Sequence, residues 1–334
     1  MTLLASLLWS SINGLRRLLW RGGLLKSVRL SVPVVSVGNF EAGGTGKTPI
    51  VIALARRALT RGQIPLVLSR GHGGSWSKRG GVIRPQAALV DSRLCGDEVS
   101  LIQQQVPGAW IGVGADRVLA FERAMKEASD SHLPKPSWAI LDDGFQHLRI
   151  FRDVEILVLT SARPWRRVFR ELPWIFDRAR SRGQALFRVW SKGEEIPLGW
   201  EALDSESRHY RMKYRIRSPE SRERDLKLWV ISGIGAPDYF AKGLEESGWR
   251  VTRRSDFEDH ARFTQSWVSD VLLKCRSEGL TPAITGKDWV KWRELGVQPS
   301  QVLVFEPAVE FSPSFFEETV LDQGFENRQR TENS

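Results

Sequence analysis

The stretch VGNFEAGGTGKTP, residues 37–49, decides the fold. An apolar run over residues 34–37 precedes it, and a helical pattern over 49–61 follows it. A strand, a glycine-rich turn and a helix in that order form an anion cradle. The glycines let backbone N–H groups converge on phosphate oxygens without a Cβ in the way. Read so, Gly43, Gly44, Thr45, Gly46, Lys47 and Thr48 bind the phosphates of a nucleotide. Lys47 neutralises the β- and γ-phosphates, and Thr48 offers its hydroxyl to Mg²⁺. Pro49 suits the first helical turn, where no N–H is needed. The segment departs from G-x-x-x-x-G-K-[ST] at one position, where Glu41 replaces the first glycine. A purely structural glycine turn is the competing reading, but it gives no reason for the lysine and threonine.

A triphosphate site also needs an acidic residue at the end of a neighbouring strand. WAILDDGFQH, residues 138–147, supplies it: an apolar run leads into Asp142 and Asp143. Paired carboxylates there hold Mg²⁺ directly or through water, opposite Thr48. Together the two motifs point to ATP or GTP. They do not separate an ATPase from a switch or a kinase.

The rest of the chain fits this frame. Its 334 residues are enough for two α/β domains. With 41% hydrophobic and 26% charged residues it reads as folded rather than disordered. The net charge of +10 implies an anionic partner, whether nucleotide, nucleic acid or acidic lipid. No nucleic acid is expected, because the arginines do not interleave with a recognisable recognition module. Cys95 and Cys275 stand in neither disulfide-framework nor zinc-ligand spacing.

Short apolar runs alternate with helical patterns, as in a mainly parallel sheet flanked by helices. The division expected is a nucleotide-binding domain over residues 31–195, a polar linker over 196–225, a second, smaller α/β domain over 226–310 and a tail over 311–334. Strands are expected at 34–37, 64–69, 110–113, 138–141 and 154–159, with 187–190 closing the first sheet. Residues 1–30 are separate. Leu4, Leu8, Ile12, Leu15 and Leu19 share one helical face, with Arg17 and Arg21 on the other. The uncharged stretch over 1–15 is short of the ~20 residues that span a bilayer. This is a basic amphipathic helix suited to a membrane interface, or else a terminal helix packed on the domain.

The motifs taken together resemble the tetraacyldisaccharide 4'-kinase family, the lipid A 4'-kinases of Gram-negative bacteria. The likeness runs through residues 37–49, LSRGHGG (68–74), GDE (96–98), VGADR (113–117), LDDGFQHLRIFRD (141–153), SGIGAPDYF (232–240), Asp259–His260 and ITGKD (284–288). It implies a P-loop kinase-like fold that uses ATP and Mg²⁺. It also implies γ-phosphoryl transfer to the 4'-hydroxyl of a tetraacylated glucosamine disaccharide 1-phosphate. The partner is then this lipid A precursor at the cytoplasmic face of the inner membrane, reached peripherally. By the same resemblance Asp97 is the catalytic aspartate and His260 the histidine paired with it. From the residues alone, Asp97 reads rather as a helix N-cap, and it is the resemblance that turns it into the catalytic residue. Arg70, Arg117 and Arg149, at strand or turn ends beside these motifs, are candidates for contacts to substrate phosphate. The alternative function is a membrane-associated P-loop ATPase that switches or scaffolds without phosphorylating lipid. Three departures fall on the acceptor side. Val99 stands where the family often has proline, residues 161–182 share little beyond Arg170 and Glu171, and Gly286 replaces a glutamate.

Overall fold

Runs such as VVSVG, PLVLS and VEILVL carry almost no polar interruption, so they can be buried on both faces only in the interior of a helix-covered sheet. The computed structural model describes residues 19, 24, 26–39, 46–145, 147–159, 185–190, 208–217, 225–311 and 315. The first part contains β1 (Val34–Gly38), α1 (Lys47–Thr60), β2 (Pro65–Ser69), α2 (Trp76–Arg79), β3 (Gly81–Ile83), α3 (Ser92–Cys95), α4 (Asp97–Gln105), β4 (Trp110–Val113), α5 (Arg117–Asp130), β5 (Trp138–Asp142), β6 (Val154–Leu159) and β7 (Ala185–Trp190). After β8 (Arg208–Arg217) come β9 (Lys227–Ser232), α6 (Pro237–Glu246), β10 (Arg250–Asp256), α7 (Gln265–Glu278), β11 (Thr281–Thr285), α8 (Gly286–Glu294) and β12 (Leu303–Phe311).

Among the described residues the strands join in the order β10-β9-β11-β12-β8-β7-β6-β1-β5-β2-β4-β3. The stretch from β7 to β4 is parallel throughout, and β3 closes that end antiparallel to β4. At the other end β12, β11, β9 and β10 are parallel to one another. β8 joins the two parts, running parallel to β7 and antiparallel to β12.

The two-residue period of the strands divides the core. Val35, Val37, Val67 and Ile140 pack with Ile50, Leu54 and Ile102 on one face. Val34, Leu66, Leu68 and Leu141 pack with Phe121 and Ala124 on the other. The second part repeats the division. Ile231 and Ile284 lie with Val271 and Trp292, and Val230 and Ala283 with Leu244 and Phe305. One buried cysteine sits in each part, Cys95 in the first core and Cys275 in the second. Burial pushes their thiols up to about 12 and about 11.

Three features differ from expectation. Residues 187–190 do not close the first sheet, because β8 continues it. The alternating stretch within the expected linker is β8 itself, with Tyr210 and Met212 buried. The sequence pattern missed β10. RVTRRSD has no apolar alternation, because an edge strand paired on one side only stays largely exposed. The N-terminal helix, Gly43, Gly44 and Thr45, residues 161–182 and most of the tail lie outside the described residues.

Candidate active site

In a parallel sheet the carboxyl ends of neighbouring strands open onto one crevice. β1, β5 and β2 are adjacent, and their ends carry Gly38 and Asn39, Asp142, and Ser69. Gly38 is required by close approach: a Cβ there would lie 2.4 Å from the Cβ of Phe145. The backbone after β1 is thereby pressed against the turn after β5, so the phosphate loop and the Asp142–Asp143 pair start side by side.

Gly46 is left-handed (φ 85°) and delivers the chain into α1 with Lys47 and Thr48 in its first turn. The Lys47 ammonium donates to Asn39 Oδ1 at 3.0 Å and lies 3.5 Å from Asp143 Oδ1. Ser69 Oγ donates to Asp142 Oδ2 at 2.9 Å. Asp142 Oδ1 is buried with no hydrogen-bond partner among the described residues. Burial pushes the Asp142 carboxyl up to about 7, and the nearby Glu98 and Asp143 charges add to it, against the pull of Ser69 and Lys47. A buried carboxylate oxygen without a donor, next in the chain to a second carboxylate, offers the oxygen ligands a hard divalent cation takes. The residues therefore fit Mg²⁺.

Asp143 is one of four non-glycine residues with positive φ among those described, at φ 49°. His260 is another, at φ 66°. Such conformations are uncommon outside glycine and collect at functional sites.

Asp97 is the first residue of α4, after Gly96 at φ 94°. Gly96, with no side chain, holds the N-cap position, and the Asp97 carboxylate accepts from no helical N–H among the described residues. Instead Asp97 Oδ2 lies 3.4 Å from His260 Nδ1 and 3.2 Å from Lys291 Nζ. The capping reading of Asp97 thus gives way to a cluster spanning the two parts of the molecule. α8 carries the other side of that contact. Ser92 donates to Glu294 through its amide at 2.6 Å and its hydroxyl at 2.9 Å, and Arg293 donates to Gln104 at 3.0 Å. The positive end of α4 favours a carboxylate at Asp97. Glu98, the next residue, is near enough to act on Asp142, so the Asp97 turn adjoins the acidic pair.

The three arginines are placed differently. Arg117 is buried, donates to the Ala115 carbonyl at 3.1 Å and faces the acidic pair. Burial pulls its guanidinium below the usual range, and the Asp142 charge opposes that. Arg149 is exposed and ion-paired to Asp116, whose other oxygen caps α5 by accepting from Val118 and Leu119. Arg70 is exposed at the end of β2. His147 accepts a hydrogen bond from Arg152 through its backbone carbonyl.

Sequence reasoning passed over Asn39, Ser69, Asp259, Lys287 and Lys291. The one legible signal was the i, i+4 spacing of Lys287 and Lys291, which puts both on one helix face. Gly286 starts the same helix. A Cβ there would lie 3.2 Å from Leu101 Cδ1 and 3.4 Å from Glu306 Cγ. A glutamate at 286 would therefore meet a like charge.

The profile of the tetraacyldisaccharide-1-P 4'-kinase family matches residues 1–324. The chain is 33% identical over 306 residues to the tetraacyldisaccharide 4'-kinase of Pelobacter propionicus, covering 88% of this chain and 82% of that protein. With the enzyme of the same name from Syntrophus aciditrophicus it shares 35% over 300 residues, 80% of this chain and 77% of the other. The crystal structure of LpxK from Aquifex aeolicus in complex with ATP superposes with a TM-score of 0.74 at 26% identity, covering 93% of this chain and 94% of that one.

Proposed function

The chain belongs to the tetraacyldisaccharide-1-P 4'-kinase family, and from that premise we propose that its crevice transfers the γ-phosphoryl group of ATP to the 4'-hydroxyl of a tetraacylated glucosamine disaccharide 1-phosphate, a step of lipid A biosynthesis. Residues 31–195 hold the nucleotide, and residues 226–310 complete the acceptor side.

Phosphoryl transfer is chiefly a matter of position and charge. Lys47, released from Asn39 and Asp143, draws onto the β- and γ-phosphates. Gly43, Gly44, Thr45 and Gly46 cradle them through backbone N–H groups. Thr48, Asp142 and Asp143 would hold Mg²⁺, which would supply charge neutralisation to the triphosphate when bound. Asp97 takes the proton of the 4'-hydroxyl as its oxygen bonds to the γ-phosphorus. The bond from that phosphorus to the bridging oxygen breaks, and its electron pair leaves on ADP. His260 orients the Asp97 carboxylate. Arg117 faces the acidic pair and acts from within the site, whereas Arg70 and Arg149 reach an anionic headgroup from the surface.

No helix among the described residues is long and apolar enough to cross a membrane. The amphipathic residues 1–30 provide peripheral attachment to the cytoplasmic face of the inner membrane. Co-sedimentation with anionic vesicles, lost on deleting 1–25, tests this.

The single observation that carries the reading is the Asp97 side chain, at a helix start it does not cap, turned to His260 across the two parts of the molecule beside the acidic pair. The experiment is incubation of the full chain with Mg²⁺, radiolabelled ATP and the disaccharide lipid in mixed micelles. Label in the lipid is expected. ADP formed without labelled lipid would sink the assignment and favour an ATPase.

A further inference from the structure

We infer that Lys287 and Lys291, one turn apart on α8, are positioning residues that fix the tautomer and orientation of the Asp97–His260 pair; this rests on the kinase reading of that pair and extends it. Neither is an ordinary solvated lysine. Their side chains are 14% and 8% exposed, less than the 37% of His260 that they flank. Lysines are rarely so buried without a partner that uses their charge.

Lys287 Nζ donates to Asp259 Oδ1 at 2.8 Å and lies 3.3 Å from His260 Nε2. An ammonium has donors and no acceptor. The ring nitrogen it meets must therefore offer a lone pair, and the proton of a neutral imidazole then sits on Nδ1. That nitrogen lies 3.4 Å from Asp97 Oδ2, with the donor turned to the carboxylate.

Lys291 works on the other partner. Its ammonium lies 3.2 Å from Asp97 Oδ2, donates to the Ala261 carbonyl at 2.9 Å and lies 3.7 Å from Asp288 Oδ1. Asp288 is fully buried, and its Oδ2 accepts from the Gly233 amide at 3.1 Å and the Thr285 hydroxyl at 2.7 Å. Lys291 is thus tied from behind to a fixed anion and to the backbone next to His260. Both contacts to Asp97 fall on Oδ2. Oδ1 has no hydrogen bond or ion pair among the described residues and is the oxygen left to receive a proton. The charged and titratable groups facing the pair are Lys287, Lys291, Asp259, Asp288 and the His72 ring, whose centroid lies 5.8 Å from that of His260.

The test is nitrogen NMR of the full chain labelled with ¹⁵N-histidine, without ATP or lipid, so that its failure is separate from failure of the kinase assay. The chain has only five histidines, and His260→Asn identifies the signals wanted. Near neutral pH, His260 is expected protonated at Nδ1 and bare at Nε2. Lys287→Met shifts it to the other tautomer or to imidazolium, while Lys287→Arg, a donor-only cation, keeps the parental pattern. In the kinase assay Lys287→Met and Lys291→Met each lower kcat about 10-fold and leave the KM for ATP within about twofold, while Lys287→Arg keeps kcat near the parental value. A parental His260 protonated at Nε2, or a spectrum unchanged by Lys287→Met, overturns the inference. So does a fall in kcat with Lys287→Arg as large as that with Lys287→Met.

Discussion

The proposed nucleotide side and the proposed acceptor side of the crevice are built differently. Lys47, Thr48, Asp142 and Asp143 sit at the ends of adjacent parallel strands, within two short contiguous motifs. Asp97, His260, Lys287 and Lys291 come from α4, from the loop after β10 and from α8, up to 194 positions apart in the chain (291 − 97). A local motif carries its own geometry, because the turn that presents the side chain is encoded beside it. A dispersed cluster takes its geometry from the packing of whole elements. The nucleotide side should therefore fail one residue at a time, whereas the acceptor side should also fail through residues that never touch a substrate.

The largest effect is expected at Lys47. Lys47→Ala should lower kcat/KM by about 10³-fold or more, with weaker ATP binding, because it removes the phosphate-neutralising charge. Asp97→Ala should follow, with a loss of about 10²–10⁴-fold in kcat and ATP affinity unchanged by calorimetry. If Asp97→Ala weakened ATP binding as much as Lys47→Ala, the division into two sides would break.

Glu294→Ala sharpens the same contrast. It removes both hydrogen bonds from Ser92 and alters none of the residues proposed to meet a substrate. A stability loss of about 1–2 kcal/mol in urea titration is expected. A several-fold fall in kcat should accompany it, through Asp97, whose helix follows Ser92 closely in the chain.

The smallest effect is one of pH. Burial alone would raise the Asp259 carboxyl, but the hydrogen bond and charge of Lys287 outweigh it and hold the carboxyl below its ordinary value. A folded-state value below the unfolded one contributes stability above the ordinary carboxylate range, and this is lost as pH falls through the folded value. The destabilisation in Lys287→Met should accordingly be measurable near neutral pH and fade as the medium is acidified below about pH 4. A deficit that grew in acid would assign the Lys287–Asp259 contact no such role.

The same contrast governs what could be read beforehand. β1, β2, β4, β5 and β6 were legible because each is a largely apolar run bounded by turn residues. β10 was not, since an exposed edge leaves no apolar signature in RVTRRSD. Lys47 and Asp142 declared themselves through neighbours in sequence. Asp97 did not: GDEV opening a helix is physically a good cap, and only the arrival of His260 and Lys291 from the other part of the sheet makes it something else. Lys287 and Lys291 carried the pattern of any solvated lysine pair on a helix. What separates them from one is the burial of α8 against α4, which no local pattern encodes.

The placement of the two cysteines has a practical consequence. Each part of the molecule keeps a single thiol in its core, and burial holds both far from the thiolate form. A maleimide or other electrophile can then reach Cys95 or Cys275 only when the surrounding layer opens. The unmodified chain thus carries one alkylation clock on either side of β8. Comparing their rates with and without nucleotide would time how each part breathes, with no engineered label.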